Sequence, residues 1–310
     1  MLASNDGSWE IVVPQKGQEL DLEGRLKSFS PSDIVLKEGK PIDHDPELQE
    51  YIEQRWQAYV KGKTAKGDPE PFPGDLVRVS TMPSINSDGK IELHLAQTNY
   101  KEHIATNFPK DDYSRNLPYN KNANVLNSIA VLVTADNQLV YSIRGQTATF
   151  EGAFSGFGSP LHSPDEIFNG GGSAYLFEQV RDALLKETGM SASKKAKKLH
   201  DELFVQLGGI AYMREGFHIP LWVAQTSLEA GEVREVARDI TKKIKGSDAP
   251  KYLGVGFVPL TEEDYTTFLE RPEPVKTVQP IWAYLGLRTF GLDYKIPGIT
   301  KTRCSELSAG

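Results

Sequence analysis

Cysteine is nearly absent from this chain. The 310 residues contain one cysteine, Cys304. A disulfide within the chain needs two cysteines and a cysteine-based zinc site needs several, so both are excluded. This scarcity fits a reducing compartment. The first twenty residues also contain neither the basic stretch nor the apolar stretch of a secretory signal, and we therefore expect a cytoplasmic protein.

Long apolar runs and an excess of positive charge are missing too. No stretch approaches the roughly 18 consecutive apolar residues of a membrane-spanning helix. The net charge is -7 at pH 7, so we expect neither nucleic acid nor a membrane as a partner. A local basic run, KKAKK at 194–198, is interpreted as a solvated loop or helix face. With 39% hydrophobic and 25% charged residues, the composition is typical of a globular protein with a buried core.

The first part of the chain, 1–115, is predicted to be an α+β extension. Apolar residues on one helical face predict a helix over 45–60, with Asp45 as its N-cap. Alternating patterns on both sides of a turn at 86–89 predict two strands. The polar segment 110–124 lacks periodicity and is interpreted as a linker.

The second part, 125–290, is predicted to be an α/β domain, followed by a C-terminal tail over 291–310. Two strands within 127–145 come first, and the continuously apolar run 129–133 indicates burial on both faces of a sheet. A glycine-rich stretch then precedes a helix over 173–189. Further strands and an amphipathic helix follow.

The end of the predicted helix carries a recognisable motif. The residues DALLKETGM at 182–190 match the C-terminal part of the Nudix box without a gap. Leu184 fills an apolar position, Glu187 fills the second position of a Glu-Glu pair, and Gly189 fills the closing glycine. The chain thus resembles a Nudix hydrolase at this motif.

Neighbouring segments extend the resemblance over 125–270. The strand pair within 127–145 is similar to the opening hairpin of the family, and FVPL at 257–260 is a further family-like feature. LHLAQTNYKEHIATN at 93–107 resembles the branch of UDP-glucose and UDP-galactose diphosphatases. The resemblance implies a mixed-sheet α/β/α sandwich that carries an N-terminal α+β extension.

Two of the three carboxylate positions of the box depart from the family pattern. The family places three carboxylates at i, i+3 and i+4 on one helix face, where they hold Mg²⁺ or Mn²⁺. Here those positions hold Ala183, Lys186 and Glu187. Asp182 points about 100° away from Ala183, and Glu178 points further still, so neither replaces a lost carboxylate easily.

The N-terminal part of the box is not kept in register. Without a gap, its glycine and its first glutamate fall on Phe168 and Ala174. Gly156 or Gly158 is a candidate for the displaced glycine.

The resemblance implies a pyrophosphohydrolase that cleaves a UDP-sugar-like nucleotide sugar to a nucleoside monophosphate and a sugar phosphate. A divalent cation, Mg²⁺ or Mn²⁺, would stabilise the charge that develops when water attacks phosphorus. Glu187 would be the catalytic glutamate and the retained metal ligand. Glu151 and Glu166, from the glycine-rich stretch, would complete the metal shell.

Five residues are candidates for substrate binding. Tyr100, Lys101 and Asn107 follow from the resemblance to the UDP-sugar branch. Lys186 either neutralises a phosphate as a point charge or complements the negative end of the helix dipole. His218 either faces the substrate or is partly buried in the sheet.

Two other functions remain open at the level of the sequence. The first alternative to the hydrolase is a catalytically inactive Nudix-fold protein that binds a nucleotide or nucleotide sugar. The second is a scaffold that docks a protein partner through its N-terminal region. Few carboxylates hold a hard cation weakly, which favours the first of these alternatives. The resemblance in fold favours the hydrolase.

Overall fold

The computed structural model describes residues 2–14, 26–65, 67, 70–108, 111–144, 153–158, 161–188, 190, 200–243, 252–271, 278–291, 293–297 and 299–301. The strands are β1 (Leu2–Ser4), β2 (Trp9–Val13), β3 (Ile34–Glu38), β4 (Asp75–Val79), β5 (Ser84–Ile85), β6 (Ile91–Asn99), β7 (Ala130–Val133), β8 (Gln138–Arg144), β9 (Phe154–Ser155), β10 (Phe204–Met213), β11 (Phe217–Gln225), β12 (Tyr252–Pro259) and β13 (Ile299–Lys301). The helices are α1 (Pro46–Thr64), α2 (Tyr100–Asn107), α3 (Asp112–Arg115), α4 (Pro164–Asn169), α5 (Ser173–Thr188), α6 (Ala230–Lys243), α7 (Glu262–Leu269) and α8 (Gln279–Phe290). The α/β class that the sequence predicts is confirmed.

A large mixed sheet forms the centre of the molecule. Its strand order is β12-β8-β7-β11-β10-β2-β1-β13, and β9 pairs with β8. Strands β7 and β11 are parallel, whereas β8 is antiparallel to both β7 and β12. The segment that follows β9 continues along β7 through paired backbone hydrogen bonds between Phe157 and Ala130.

Strand β7 is buried on both faces, which confirms the prediction for its apolar run. All four of its residues are buried. Ala130 and Leu132 belong to the hydrophobic cluster that includes α5, whereas Val131 and Val133 belong to the cluster that includes α8. Because successive side chains of a strand alternate between faces, α5 and α8 cover opposite faces of the sheet.

Helix α5 packs through the face that the apolar spacing predicts. Leu176, Phe177, Val180 and Leu184 are all buried. The helix ends at Thr188, whose hydroxyl donates to the Leu184 carbonyl. Gly189, the predicted residue after the helix, lies outside the described residues.

A smaller sheet of order β3-β6-β4, with β5 on β6, accompanies α1 and α2. The sequence predicts two strands around the turn at 86–89, but the structure has three. The strand predicted before the turn is divided into β4, which ends at Val79, and β5, which begins at Ser84. Asp45 caps α1 as predicted, since its carboxylate accepts from the Leu48 N–H at 2.8 Å. The small sheet lies beside the large one. The backbone of Arg78 in β4 forms an isolated antiparallel β-bridge with Val125.

The segment 110–124, which the sequence suggests as a linker, contains regular structure and buried residues. Within the part that is described, this segment forms α3 and a 3-10 turn, and Asn122, Ala123 and Asn124 are buried. The Ala123 N–H donates to the Thr106 hydroxyl of α2. The buried amides of Asn122 and Asn124 donate to backbone carbonyl groups of the same segment, so low hydrophobicity did not indicate exposure.

The two ends of the described chain lie in the large sheet. Strands β1 and β2 come from the predicted N-terminal extension, yet β2 pairs with β10. Strand β13, from the predicted tail, pairs with β1. In the described part of the chain, no helix combines the length and the apolar character needed to cross a membrane.

Candidate functional site

The C-terminal end of α5 is the candidate site, because the box-like motif ends there. Glu187 is partly buried, and its carboxylate accepts a hydrogen bond of 2.6 Å from the backbone N–H of Gly158. A carboxylate that accepts from an N–H group makes a charge-assisted, comparatively strong bond. The retained glutamate is thus held against the strand segment that follows β9.

That segment requires glycine at two positions. A Cβ on Gly156 would lie 2.5 Å from the Ala130 carbonyl oxygen. Gly158 has φ +125°, and a Cβ there would lie 2.6 Å from the Ser128 carbonyl oxygen. The backbone can approach β7 this closely only without side chains. Of the two glycines proposed as the displaced box glycine, Gly158 is the one that contacts Glu187.

The other two acidic residues of α5 lie on a different side of the helix. One carboxylate oxygen of Glu178 lies 3.1 Å from Nε2 of His200, and its other oxygen forms an ion pair with Arg181. Asp182 lies 3.6 Å from the same Nε2 atom. The orientation expected from the helical repeat is therefore observed, because Glu178 and Asp182 share His200 while Glu187 contacts Gly158.

The structure does not bring Glu166 to Glu187. Glu166 is exposed on α4 and accepts a hydrogen bond of 3.0 Å from the Tyr175 hydroxyl. Tyr175 precedes Glu187 by twelve residues on α5, which corresponds to about 18 Å of helix axis. Glu151, the other acid proposed for the metal shell, lies outside the described residues.

The residues described do not supply the ligand set that a Nudix-type divalent cation would need. Glu187 is the one carboxylate at the three box positions. Among the described parts of the chain, no group of three or more histidine, cysteine, aspartate or glutamate side chains is arranged to hold a metal ion. Mg²⁺ binds through near-octahedral oxygen ligands, to which a single glutamate contributes little.

Lys186 lies next to Glu187 and is exposed. It is the basic residue in the last turn of α5, where a cation complements the helix dipole. Ala183, Lys186 and Glu187 span an arc of about 100° on the helix, so the lysine shares one face with the retained glutamate.

Tyr100 and Lys101 are engaged in contacts between α1 and α2. The Tyr100 hydroxyl lies 3.1 Å from the Tyr59 hydroxyl, and the Tyr100 ring packs edge-on against Trp56. Burial raises the pKa of Tyr100. Lys101 forms an ion pair with Glu53 of α1. Both predicted substrate residues thus join two helices of the N-terminal region.

Asn107 is fully buried and holds the turn between β10 and β11. Its amide nitrogen donates to the carbonyl oxygens of Glu215 at 2.6 Å and Gly216 at 2.8 Å. Its amide oxygen lies 3.1 Å from Nδ1 of His103. These contacts satisfy the amide within the protein, which accounts for this residue without a substrate.

His218 is fully buried in β11 rather than directed to a ligand. Burial holds its pKa at about 3, well below its usual value. Its Nε2 atom shares a hydrogen bond of 3.2 Å with the Tyr119 hydroxyl, which itself donates to the Val79 carbonyl at 3.0 Å. A neutral imidazole therefore links the two sheets. Of the two sequence interpretations, the structure places His218 in the sheet.

Sequence reasoning missed Arg78, which is 1% exposed. Its guanidinium donates to the carbonyl oxygens of Lys40 at 3.1 Å, Asn120 at 3.2 Å and Asn122 at 3.1 Å. The acceptors lie 38 to 44 residues away in sequence, so no local pattern identifies them. An arginine between the apolar residues Val77 and Val79 of β4 was the one available signal.

No protein-family model matches the sequence. No curated protein matches it either.

Proposed function

We propose that this chain is a diverged Nudix-type protein that binds a nucleoside diphosphate derivative, such as a UDP-sugar-like nucleotide sugar, at the C-terminal end of α5 without hydrolysing it. The family part of this proposal rests on the sequence resemblance at 182–190 and its flanking strands. Binding is preferred to hydrolysis because of one observation. Only one of the three box positions holds a carboxylate, that of Glu187, and the exposed Lys186 stands at another of them.

Hydrolysis by a Nudix enzyme needs several carboxylates around a divalent cation, because the cation must be held against a competing diphosphate. Of the two acids proposed to assist Glu187, the one within the described residues does not approach it. Glu166 is bound to Tyr175 far along α5, and Glu151 lies outside the described residues. A site with one carboxylate and one adjacent lysine suits an anionic ligand better than a hard cation.

The pyrophosphohydrolase is the second candidate. It is favoured by the position of Glu187, which is retained at the box position and fixed beside a glycine segment. In this case the products would be a nucleoside monophosphate and a sugar phosphate, and the remaining metal ligands would come from outside the described residues.

One experiment separates these functions. The protein is incubated with UDP-glucose, UDP-galactose or UDP in the presence of Mg²⁺ or Mn²⁺, and released monophosphate and the melting temperature are both measured. We expect a higher melting temperature with a ligand and no monophosphate release. Release that disappears in Glu187→Gln and persists in Glu270→Gln would establish the hydrolase instead. The control is apt because Glu270 is an exposed glutamate at the end of α7.

A protein-interaction scaffold is the remaining outcome. If no nucleotide derivative changes the melting temperature under any condition, the proposed binding function is wrong. The N-terminal region, with α1 and α2, would then be the surface to test against protein partners.

A further inference from the structure

Strand β12 forms one edge of the large sheet. It pairs with β8 on its inner side, and the described part of the chain places no strand beyond it. Its two faces are covered. Val255 and Phe257 pack against the hydrophobic cluster that includes Val233 of α6, whereas Val258 belongs to the cluster that includes Tyr265 of α7. Within the described residues, the open part of β12 is therefore its outer backbone edge.

The hydrogen-bond pattern shows which backbone groups of β12 point outward. Just after the strand, the Leu260 N–H donates at 3.0 Å to the carbonyl group that lies opposite it, just before β8. Opposed residues of an antiparallel pair alternate between bonded and non-bonded positions. Val258 and Gly256 therefore bond to β8. The N–H and C=O groups of Val255 and Phe257 point away from β8, towards the open edge.

The middle of β12 lacks the features that usually keep an edge strand from pairing with another chain. Such edges are commonly protected by charged side chains, prolines or irregularities. The sequence of β12, YLGVGFVP, contains no charged residue. Pro259 protects one end of the strand, and an irregular register between Tyr252 and Gly254 protects the other. The stretch between these two ends remains able to pair.

We propose that β12 pairs with β12 of a second copy of this chain, antiparallel and about a twofold axis at Gly256. In this register Val255 of each copy lies opposite Phe257 of the other. Both are outward positions, so each such pair exchanges N–H to C=O hydrogen bonds in both directions. Gly256 then lies opposite itself at a non-bonded position, where two strands come closest and where glycine adds no side chain.

A second copy fits this edge better than an unrelated extended peptide. A peptide that adds a strand to a sheet is selected by pockets for its alternate side chains. Beside β12 the corresponding space is filled, because Arg234 of α6 lies 4.6 Å from the centre of the Phe257 ring and Val258 is buried. The edge thus offers a backbone ladder that is its own complement. Because this ladder is short, the dimer should be weak and should depend on protein concentration.

The first test is the oligomeric state of the full chain in analytical ultracentrifugation. A reducing buffer is needed, because the single Cys304 could otherwise link two copies. We expect a monomer–dimer equilibrium. Val255→Pro removes an outward N–H but none of the bonds to β8, and this N–H occurs twice in the dimer, so dimerisation should weaken about tenfold or more. Val255→Ala also removes the valine side chain but keeps the N–H, and it should dimerise like the unchanged protein.

Hydrogen exchange tests the register in the unchanged protein. Where about nine-tenths of the protein is dimeric, the Val255 and Phe257 amides should exchange about tenfold more slowly than in dilute solution, because they are open to solvent only in the monomer. The Gly256 and Val258 amides are bonded to β8 in both states. Their exchange should change much less with concentration, and they serve as the internal control.

Three results overturn this proposal. The first is a chain that stays monomeric up to about 1 mM, where even a weak specific dimer would form. The second is a dimer that persists unchanged in Val255→Pro, because the contact then lies elsewhere. The third is equal protection of the Val255 and Phe257 amides at every concentration, because another part of the same chain then covers the edge. If Val255→Pro does not fold, the exchange measurement on the unchanged protein decides.

Discussion

The carboxylate of Glu187 accepts a hydrogen bond of 2.6 Å from the backbone N–H of Gly158, 29 residues earlier in the chain. This contact joins the end of α5 to the segment that runs along β7. It also gives the retained acid of the box-like motif a partner within the protein. The contribution of this contact to the stability of the protein can be measured without a ligand.

Gly158→Ala should destabilise the protein by more than the cost of placing alanine at a positive φ. Gly158 and Gly171 have nearly equal φ values, +125° and +124°. A Cβ at Gly158 meets the Ser128 carbonyl oxygen at 2.6 Å, whereas one at Gly171 meets nothing within 4 Å. We expect Gly158→Ala to lose about 1–3 kcal/mol more unfolding free energy than Gly171→Ala. Urea denaturation measures this difference, and equal losses would show that the segment can move away from β7.

Arg78→Met should destabilise the protein strongly. The buried guanidinium donates to three backbone carbonyl groups, and methionine would leave them, including that of the buried Asn122, without these donors. We expect a loss of about 2–4 kcal/mol of unfolding free energy in chemical denaturation. Arg115→Met is the control, because the Arg115–Asp112 pair is exposed and should change stability by less than about 0.5 kcal/mol. Similar small losses in both variants would contradict a stabilising role for the Arg78 guanidinium.

His218 should make the protein less stable as the pH falls. Burial holds the pKa of His218 at about 3 in the folded protein, whereas an unfolded histidine titrates near about 6.5. Below about pH 6.5, His218 binds a proton in the unfolded chain but stays neutral in the folded protein. Stability that is present above that pH is therefore lost as the pH falls towards 3.

Between pH 7 and pH 5, His218 should account for a loss of about 2 kcal/mol of unfolding free energy. This figure takes a loss of about 1.4 kcal/mol for each pH unit below about 6.5. His218→Gln, which cannot titrate, should show a pH-dependent loss of unfolding free energy that is smaller by about this amount. The exposed His162 provides the control variant His162→Gln, which should keep the original slope. An unchanged slope in His218→Gln would mean that the buried imidazole does not govern this dependence.

Asn107→Ala distinguishes a structural asparagine from a substrate ligand. Removal of its amide leaves the Glu215 and Gly216 carbonyl groups without this donor, so we expect a loss of about 1–3 kcal/mol of unfolding free energy. Asn116 makes a similar side-chain bond to the Asp112 carbonyl but is exposed, so Asn116→Ala should cost much less. If Asn107→Ala is stable but loses ligand-induced stabilisation, Asn107 binds the ligand instead.

Two glutamates at the lost box positions should create a cation site. In the double variant Ala183→Glu, Lys186→Glu, three carboxylates lie on one face of α5, and we expect Mg²⁺ to raise its melting temperature. The control Ala183→Gln, Lys186→Gln changes the same two positions of α5 without adding a carboxylate. A double variant of α5 that does not respond to Mg²⁺, or a control that responds equally, would show that this helix end is not shaped for a cation.

Local patterns in the sequence predicted the elements that position the site. The buried face of α5 follows from apolar residues spaced at three and four positions, and the burial of β7 follows from its apolar run. The side of α5 that carries Glu178 and Asp182 follows from the helical repeat alone. These properties depend on near neighbours in the chain, and near neighbours are what a sequence displays directly.

Partners distant in sequence were decided by the tertiary structure. Asn107 meets the Glu215 and Gly216 carbonyl groups across 108 and 109 residues. The imidazole of His218 meets Tyr119 across 99 residues. A polar side chain can face solvent, ligand or interior with the same local pattern, because the choice depends on which distant donors and acceptors the fold brings to it. The sequence therefore determined the helix that carries Glu187, whereas the fold determined that Gly158 holds its carboxylate.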